Sequence, residues 1–295
     1  MKTEPSVGIV IVNWNGKRDT FELIDSIKKI NYNNYKIYLV DNNSSDGSQK
    51  EFIKKYKKNT DIKLILNTKN EGLAGGYNSG IRKVLIDKLD YSFIMNNDMT
   101  AEKNFLSILV NEAKENEKIA AVGPRIYYYN DKDRVWSTGI KFRLMGFKNS
   151  DQNKLDSKIQ SKNKIVDALD GAYLIKNSVL KKIGLLEEDF FIMQEMTGWC
   201  IKAKKHGYLS MIVPKSKIWH KISRSVQNES KLCTYYGERN WFLLLKRTQG
   251  KSKYLLGILI YLMLFFPRMF YSLIRGKKFY FLTRLKGFAN SFKFK

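Results

Sequence analysis

Apolar residues follow two alternating patterns along the first hundred positions, one typical of buried strands and one typical of helices. Val7 to Val12 is an unbroken apolar, β-branched run, as expected of a strand that is buried on both faces. Apolar residues recur at helical spacing from Phe21 to Ile30, and a second strand is predicted from Lys36 to Val40. Ile62 to Leu66 and Ser92 to Met95 repeat the strand pattern. Strands that alternate with helices predict a parallel sheet with right-handed crossovers.

The pattern is less regular after the fourth strand. Further strands are predicted at Ala120–Tyr129, Val135–Phe142, Val166–Ile175 and Tyr208–Val213, with a helix over about Gln194–Lys205. The polar stretch Lys148 to Lys164 predicts a surface loop. We therefore expect one α/β domain over residues 1–247, with a mixed, mostly parallel sheet, followed by a different segment over residues 248–295.

The last segment is apolar and basic. Tyr254 to Phe266 is thirteen residues without a charge, which is too short for a straight membrane span of about 20 residues. Lysine and arginine flank this stretch on both sides. This combination predicts a helix or helix pair that lies in the face of an anionic membrane. A helix that packs on the domain or mediates oligomers, and a tilted span, are the alternatives.

The net charge of the 295-residue chain is +25. Such an excess indicates a polyanionic partner, either nucleic acid, an anionic membrane surface or a phosphate-bearing substrate, unless it reflects a lysine-rich proteome. The cysteines, Cys200 and Cys233, show neither metal-binding spacing nor a disulfide framework. The polar residues from Met1 to Gly8 run directly into a strand, so we expect no signal peptide and a cytoplasmic location, peripheral on the inner face of the cell membrane.

Polar clusters follow each of the four predicted parallel strands. They are Asn13–Gly16, Asp41–Ser48, the glycine-rich Asn70–Gly80 and Asn96–Asp98. The carboxyl ends of parallel strands meet at one edge of a sheet, where open α/β folds bind ligands. Carboxylate and amide oxygens suit a divalent cation that holds a diphosphate. The helix start after the glycines predicts backbone N–H groups that face a phosphate.

These four motifs, in this order, resemble glycosyltransferase family 2, and most closely its rhamnosyltransferase-like branch. The resemblance covers roughly residues 6 to 247. It implies a GT-A-type fold and an inverting transfer of sugar from a nucleotide-diphosphate donor, with Mg²⁺ or Mn²⁺ as cofactor. The acceptor is expected to be a glycan in cell-surface polysaccharide assembly, carried on a polyprenyl diphosphate lipid because the basic apolar segment would place the site at the bilayer.

The resemblance also assigns roles by position. It implies that the nucleotide is bound by Asn13, Asp41, Asn43, Gly72, Asn78 and Asn97. Asp98 and His220 are implied as metal-binding residues, and Asp170 belongs to an acceptor-side Asp-Gly-Ala turn. Tyr235 to Asn240 is similar to the Tyr-Tyr-x-x-Arg-Asn signature of the family.

The chain departs from the family pattern at the general base. That pattern places several acids at the start of the helix near residue 195, but the second and last of them fall on Met196 and Gly198, and Glu195 alone remains. Glu195 can act as the base, with its charge favoured at a helix N-terminus, or Asp170 can approach the acceptor. Alternatively the base is lost, and the chain is a pseudoenzyme that binds nucleotide sugar. Acids restored at 196 and 198 should then raise turnover greatly.

Two other functions fit the sequence less well. A nucleic-acid partner is not expected, because no nucleic-acid-binding module is recognisable and the positive charge is spread over the whole chain. A sugar nucleotidyltransferase should carry a signature rich in glycine and basic residues after the first strand, and Asn15–Arg18 matches it poorly. The donor sugar, the acceptor linkage and the oligomeric state are not predicted.

Overall fold

The computed structural model describes residues 4–143, 146–149, 151–222, 231–274 and 278–294. The strands are β1 (Val7–Asn13), β2 (Tyr35–Asp41), β3 (Ile62–Leu66), β4 (Tyr91–Asn96), β5 (Met99–Ala101), β6 (Ile119–Tyr128), β7 (Asp131–Ser137), β8 (Lys141–Arg143), β9 (Gly146–Lys148), β10 (Lys164–Val166), β11 (Ala172–Lys176) and β12 (Leu209–His220). The α-helices are α1 (Lys17–Ile27), α2 (Ser48–Tyr56), α3 (Gly72–Ile86), α4 (Phe105–Lys114), α5 (Asn177–Ile183), α6 (Glu195–Lys205), α7 (Lys231–Thr248), α8 (Lys251–Ile274) and α9 (Lys278–Ser291).

In the described part of the chain, ten strands form one mixed sheet. Eight of them follow one another in the order β10, β12, β6, β11, β4, β1, β2, β3, and the other two, β5 and β7, pair with β12 and β6 respectively. Strand β1 runs parallel to both β2 and β4, with Asn13 opposite Asp41 and Val12 opposite Asn96. Strand β11 runs antiparallel between β4 and β6. The predicted mixed sheet is confirmed, with parallel pairing from β4 through β1 and β2 to β3 and both orientations on the other side of β4. Its register brings the ends of β1, β2 and β4 to one edge.

Strand β1 is buried along its whole length, as its unbroken apolar sequence predicts. Ile9 and Ile11 belong to the core on one face of the sheet, with residues of α1, α2 and α4. Val10 and Val12 belong to the core on the other face, with residues of α3, α5 and α6. Each of these side chains contributes about 1.5–3 kcal/mol when it is fully buried, so the central strand anchors both layers.

Helix α3 begins within the glycine-rich segment, and several of its glycines pack against the sheet. A Cβ atom on Gly80 would lie 2.3 Å from Cγ1 of Val10, which is closer than atoms of a packed core approach. Part of the glycine content that could be attributed to a ligand is therefore required for helix–sheet contact.

Strand β12 extends seven residues beyond the predicted end at Val213 and reaches His220. Its parallel pairing with β6 shifts register between Val213 and Lys217, where Pro214 interrupts the regular ladder. A bulge accommodates a proline that would otherwise end a strand. This extension places His220 opposite Met99 of β5.

Helices α8 and α9 pack on α7 through aromatic rings. The ring of Phe242 lies 4.6 Å from that of Tyr261 and 4.8 Å from that of Phe288, measured between centroids. Helix α9 approaches α7 closely at Gly287, where a Cβ atom would lie 2.7 Å from the Tyr235 carbonyl oxygen. Among the residues that the structure describes, no helix is both long enough and apolar enough to cross a bilayer.

Candidate active site

Asn13 and Asp41 form a buried pair at the ends of β1 and β2. The Nδ2 of Asn13 donates to Oδ2 of Asp41 and to Oγ of Ser44, both at 2.9 Å. The Oδ1 of Asp41 accepts the backbone N–H of Ser44 at 3.0 Å. The carboxylate is therefore held in one orientation by donors from two strand ends.

Asn97 extends this network from the end of β4 to the start of α1. Its Nδ2 donates to Oγ1 of Thr20 at 3.0 Å and to the carbonyl of Gly16 at 3.3 Å. The Thr20 hydroxyl in turn donates to Oδ1 of Asn13 at 2.7 Å. Three strand-end residues that the sequence assigns to the nucleotide are thus joined by hydrogen bonds within the protein.

Asn42 ties the end of β2 to the loop before α3. Its Nδ2 donates to Oδ1 of Asn70 at 2.9 Å and to the carbonyl of Gly72 at 3.0 Å. Its Oδ1 accepts the side-chain amide of Asn67 and the backbone N–H of Glu71. Because both amide atoms are doubly engaged, Asn42 fixes this wall of the site and has little freedom to turn toward a ligand.

A cleft of about 140 Å³ opens beside these networks. Its lining combines polar and apolar groups, namely Val12, Trp14, Asn42, Asn70, Gly72, Leu73, Asn96, Asn97, Asp98, Phe191, Ile192, His220 and Leu232. Ligand pockets of drug-sized molecules measure roughly 300–1,000 Å³, so a nucleotide sugar would extend beyond this cleft.

Asp98 and His220 form a second buried pair at the same cleft. The Oδ1 of Asp98 lies 3.1 Å from Nε2 of His220, and the two side chains are 6% and 8% exposed. The ring of His220 stacks edge-on against Trp136, with 4.5 Å between centroids. Its Nδ1 has no hydrogen-bond partner among the described residues. A buried carboxylate and an imidazole therefore converge at the cleft.

The metal-binding prediction fits this pair as a partial ligand set. No group of three or more histidine, cysteine or acidic side chains that could hold a metal occurs in the described residues. Mg²⁺ and similar hard cations are commonly bound through one or two carboxylates, with phosphate and water as the remaining ligands. Asp98 and His220 therefore suit a cation that arrives with a diphosphate.

Glu195 and Asp170 form an acidic pair, because the charge of Asp170 acts on Glu195. Glu195 opens α6 and is 8% exposed, and its Oε2 has no hydrogen-bond partner among the described residues. Burial raises the pKa of Glu195 to about 7, and the Asp170 carboxylate also raises it, against the lowering effect of the Glu195 backbone N–H. Burial likewise raises the pKa of Asp170 to about 6, although His220 lowers it. Carboxyl groups that titrate near neutral pH are suited to proton transfer.

Tyr77 is close to one acid of each pair, Glu195 and Asp98, whose charges act on its hydroxyl. Its hydroxyl donates to Oδ1 of Asn96 at 2.9 Å, which fixes the residue that precedes Asn97. Burial raises the pKa of Tyr77 well above its ordinary value, and the carboxylates of Glu195 and Asp98 raise it further. The phenol therefore stays protonated and acts as a hydrogen-bond donor.

The segment before α6 is held in an unusual backbone conformation. Positive φ angles occur at three of its non-glycine residues, Phe191 (60°), Met193 (70°) and Gln194 (64°). Asn240 stabilises this segment, because its Nδ2 donates to the carbonyls of Phe190, Ile192 and Met193 at 2.7, 2.8 and 2.9 Å. The Arg-Asn end of the Tyr-Tyr-x-x-Arg-Asn signature thus has a physical role in shaping the entry to α6.

The N-terminus of α3 is capped by the same segment. The backbone N–H groups of Leu73 and Ala74 donate to the carbonyl of Phe191. Gly72 has φ +72°, and a Cβ atom there would lie 2.4 Å from the Phe191 carbonyl oxygen. The expectation that these amides are free for a phosphate is wrong for this structure, because a backbone carbonyl already accepts them.

Met196 and Gly198 occupy the positions where the family pattern places acids. Met196 is buried in the apolar core beside α3 and α5. Gly198 faces Phe190 and Leu244, and a Cβ atom there would lie 2.7 Å from Cε2 of Phe190 and 3.6 Å from Cδ1 of Leu244. It borders a separate cavity of about 310 Å³ between α6 and α7. Position 198 therefore faces α7, whereas Glu195 is close enough to Asp170 for that carboxylate to raise its pKa.

The structure brings most of the predicted site residues to one edge of the sheet, but two of them lie apart. Asn43 is exposed and adopts a left-handed backbone with φ 61°. Asn78 is buried, and its Nδ2 donates to the Leu186 carbonyl and to Oε1 of Glu188, both at 2.9 Å. Its Oδ1 accepts the backbone N–H of Leu186. Asn78 thus holds α3 on the segment before α6 and has no exposed surface to offer a nucleotide.

Sequence reasoning missed several residues that shape the site, namely Trp14, Thr20, Asn42 and Tyr77. Trp14 is an exposed indole in the cleft wall, and its position in an Asn-Trp-Asn turn after a strand was a usable signal. Thr20 and Tyr77 lie within helices, where a sequence pattern does not reveal which side chain reaches a strand end.

Comparison with known proteins agrees with this architecture. The model of the family described as "Glycosyl transferase family 2" matches residues 8–184. The chain is 26% identical over 199 residues to the dTDP-rhamnosyl transferase RfbF of Shigella flexneri, covering 63% of this chain and 64% of that protein. It is 25% identical over 252 residues to the low-salt glycan biosynthesis hexosyltransferase Agl10 of Haloferax volcanii, covering 83% and 77%. The chain thus spans less than two thirds of the rhamnosyltransferase.

Among solved structures, GalNAc-T7 with UDP, GalNAc and Mn²⁺ matches with a TM-score of 0.66 and 19% identity, covering 83% of this chain and 48% of that one. This likeness confirms the predicted GT-A-type fold. The family model covers more than half of the chain and includes all four strand-end motifs. The chain therefore belongs to glycosyl transferase family 2.

Proposed function

We propose that the protein transfers a sugar from a nucleotide-diphosphate donor to a hydroxyl of a glycan acceptor, with inversion at the anomeric carbon. The observation that carries this proposal is the convergence of three groups of polar side chains at one sheet edge, all of them buried except Asp170. They are the Asn13–Asp41 pair, the Asp98–His220 pair and the Glu195–Asp170 acids. They match the needs of a nucleoside, a diphosphate and an attacking hydroxyl.

The nucleoside is assigned to the ends of β1 and β2. The Asp41 carboxylate is oriented by Asn13 and Ser44, so it can accept a hydrogen bond from a ribose hydroxyl or a base N–H without rearrangement. Preorganised acceptors of this kind improve affinity by reducing the ordering cost of binding. The indole of Trp14 adds apolar surface to the same wall of the cleft.

The diphosphate is assigned to Asp98 and His220, with Mg²⁺ or Mn²⁺ as cofactor. Both side chains are buried at the cleft, and Nδ1 of His220 lacks a partner in the described structure. When bound, the cation neutralises the negative charge of the departing nucleoside diphosphate. The GalNAc-T7 structure contains Mn²⁺ with UDP, which supports this assignment by analogy.

Glu195 is assigned as the general base. Its carboxylate removes the proton of the acceptor hydroxyl as that oxygen attacks the anomeric carbon from the face opposite the leaving diphosphate. A pKa of about 7 and an unpartnered Oε2 both suit this role. Asp170 is a positioning residue in this scheme, because its charge raises the pKa of Glu195.

The alternative, a pseudoenzyme that binds nucleotide sugar, rests on the replacement of two family acids by Met196 and Gly198. An acid at position 198 would face Phe190 and α7 rather than Glu195, so glycine there removes no acid from the neighbourhood of Asp170. The alternative then depends on Met196 alone. The names of the two relatives, a rhamnosyl transferase and a glycan hexosyltransferase, favour an active enzyme of glycan assembly.

A thermal shift with a panel of nucleotide sugars, with and without Mn²⁺, tests the proposal. A donor at 100 times its Kd should stabilise the protein by roughly 2.7 kcal/mol. A metal-dependent shift with one donor, followed by transfer of its sugar to a glycan acceptor, supports the enzyme. A shift without transfer or donor hydrolysis supports the pseudoenzyme, and no shift with any donor contradicts both.

A further inference from the structure

The outward side of α8 is an exposed apolar face. Four of its residues are largely exposed, and their spacing places them on the same side of the helix. They are Leu255 (57%), Leu256 (47%), Leu259 (59%) and Met263 (76%). Three further apolar side chains are exposed, namely Leu282 and Leu285 of α9 and Phe292 directly after it. We call this set the docking face. An exposed apolar stripe along one side of a helix, as on α8, marks an interaction site rather than ordinary scatter.

The opposite side of α8 is already used by the fold. Tyr261 packs on Phe242 of α7 and stacks on Phe288 of α9, with 5.2 Å between the centroids of Tyr261 and Phe288. Phe265 continues this row at 5.1 Å from Tyr261. Helix α8 is therefore fixed to the protein by its aromatic side, and the docking face is apolar without a partner inside the described chain.

The segment that carries the docking face is basic, although Arg284 of α9 pairs with Glu238 of α7 at 3.2 Å. No aspartate or glutamate occurs between Arg239 and the C-terminus. Residues 251–295 carry ten basic side chains, at Lys251, Lys253, Arg268, Arg275, Lys277, Lys278, Arg284, Lys286, Lys293 and Lys295. Basic residues beside an anionic bilayer are each attracted by about 1 kcal/mol when they lie near its surface.

We infer that the docking face inserts into the surface of an anionic lipid bilayer. A helix with one apolar side and basic flanks lies in the interface plane with that side at the boundary of headgroups and acyl chains. A second copy of this chain is a poorer occupant, because an isologous contact would bring the same basic, acid-free segment against itself. Charge complementarity thus selects the bilayer.

Helix α7 links the docking face to the candidate active site. Leu232, near its start, lines the cleft, and Tyr236 stacks on Phe191 with 5.0 Å between centroids. Further along the helix, Phe242 meets both α8 and α9. The inference that the acceptor is carried on a membrane lipid rests on the proposed transferase function, whereas bilayer docking itself does not.

Vesicle flotation of the full chain tests this inference. We expect binding to vesicles of phosphatidylcholine and phosphatidylglycerol, and at least about tenfold less binding to phosphatidylcholine alone or at high salt. The double variant L259D/M263D should reduce binding to the anionic vesicles by a similar factor, because it places carboxylates on the docking face. The control I86D changes an apolar side chain of α3 that is 65% exposed, and it should float like the wild type.

Circular dichroism and the donor thermal shift, measured on each variant, show that folding and the cleft are intact. Wild-type flotation by L259D/M263D, or equal binding to neutral vesicles, would overturn the inference. Concentration-dependent dimers in ultracentrifugation that L259D/M263D abolishes, without vesicle binding, would assign the face to a second copy instead. If the wild type floats with anionic vesicles but shows no thermal shift with any nucleotide-sugar donor, the proposed function is refuted and the docking surface is retained.

Discussion

The two halves of the candidate site differ in how their buried polar atoms are satisfied. On the nucleotide side, Asn13, Thr20 and Asp41 exchange hydrogen bonds with one another and with the adjoining strand ends. On the reaction side, Oε2 of Glu195 and Nδ1 of His220 have no partner among the described residues. A buried polar atom without a hydrogen bond costs about 1–3 kcal/mol.

This difference separates a binding wall from reactive groups. The nucleotide side is complete without a ligand, so it can hold a donor without reorganisation. The reaction side is incomplete, and its raised carboxyl pKa values reflect the same lack of partners. Other buried polar atoms, such as Oη of Tyr56, also lack a partner among the described residues. The reaction side is distinguished because its unpartnered atoms occur together with carboxyl groups of raised pKa.

The largest expected effect comes from Glu195→Gln, which keeps the side-chain shape but removes the proton acceptor. The kcat for transfer should fall about 10²–10⁴-fold, while the Kd for the donor stays unchanged. Initial rates with saturating donor, together with calorimetric donor binding, check this. Glu117→Gln, at an exposed glutamate after α4, is the matched control. Wild-type kcat in the Glu195 variant would move the base to another residue.

Asp98→Asn should act on metal binding. Loss of even an outer-shell partner of a metal ligand reduces metal affinity by about 10–100-fold, so we expect at least about a 100-fold loss of Mn²⁺ affinity in the presence of nucleoside diphosphate. Mn²⁺ titration followed by electron paramagnetic resonance measures it. Unchanged Mn²⁺ affinity would exclude Asp98 from the metal site and remove one member of the reaction side.

Asn13→Ala should disrupt the hydrogen-bond network on the nucleotide side of the site. It removes the donor to Asp41 Oδ2 and should lower the free energy of unfolding by about 1–3 kcal/mol, with weaker donor binding. Urea denaturation measures the loss. Asn43→Gly, at an exposed residue whose left-handed backbone suits glycine, is the control and should be nearly neutral. Equal stability of Asn13→Ala and wild type would mean that the network contributes nothing.

The pH dependence of the reaction side should have opposite signs for rate and for stability. Glu195 acts as a base only when deprotonated, so kcat should fall about tenfold per pH unit below a pKa of about 7 and level off above it. Because folding raises this pKa from 4.5, the stabilising contribution of Glu195 is complete below about pH 4.5 and is lost as pH rises through 7. Rate profiles and urea melts across this range test both signs, and Glu195→Gln should remove its share of the stability change.

The smallest expected effect on rate is that of Gly198→Asp. The new side chain would collide with Phe190, so we expect about 1–3 kcal/mol of destabilisation and no increase of kcat. Thermal melts and transfer rates, compared with those of Met196→Asp, distinguish the two positions. A large increase of kcat in Gly198→Asp would show that the family acid is missing after all and would favour the pseudoenzyme.

The sequence predicted the sheet and the location of the site because both depend on local patterns. The β-branched run from Val7 predicts burial on both faces, and polar residues after each strand predict a functional edge. Such patterns do not show which of Asn42 and Asn43 points into the site, because adjacent amides at a strand end differ only in the direction that the turn gives them. The inward amide is Asn42, and the predicted Asn43 is exposed.

Long-range packing explains the other differences. Nothing near Leu73 in the sequence shows that the carbonyl of Phe191 caps α3. The extension of β12 past Pro214 depends on pairing with β6, which no local signal reveals. Such contacts are set by the tertiary fold, and they override the local propensity of the residues involved.

The pairing of β12 with β5 and β6 also has a consequence for the order of folding. Strands β1, β2 and β4, with Asn13 and Asp41, lie within the first hundred residues. The Asp98–His220 pair forms only after a late strand inserts beside β6, and closing so long a chain segment carries a large entropic cost. During synthesis the nucleotide wall can therefore assemble before the reactive half exists, so the nascent chain can acquire donor affinity before it can transfer sugar.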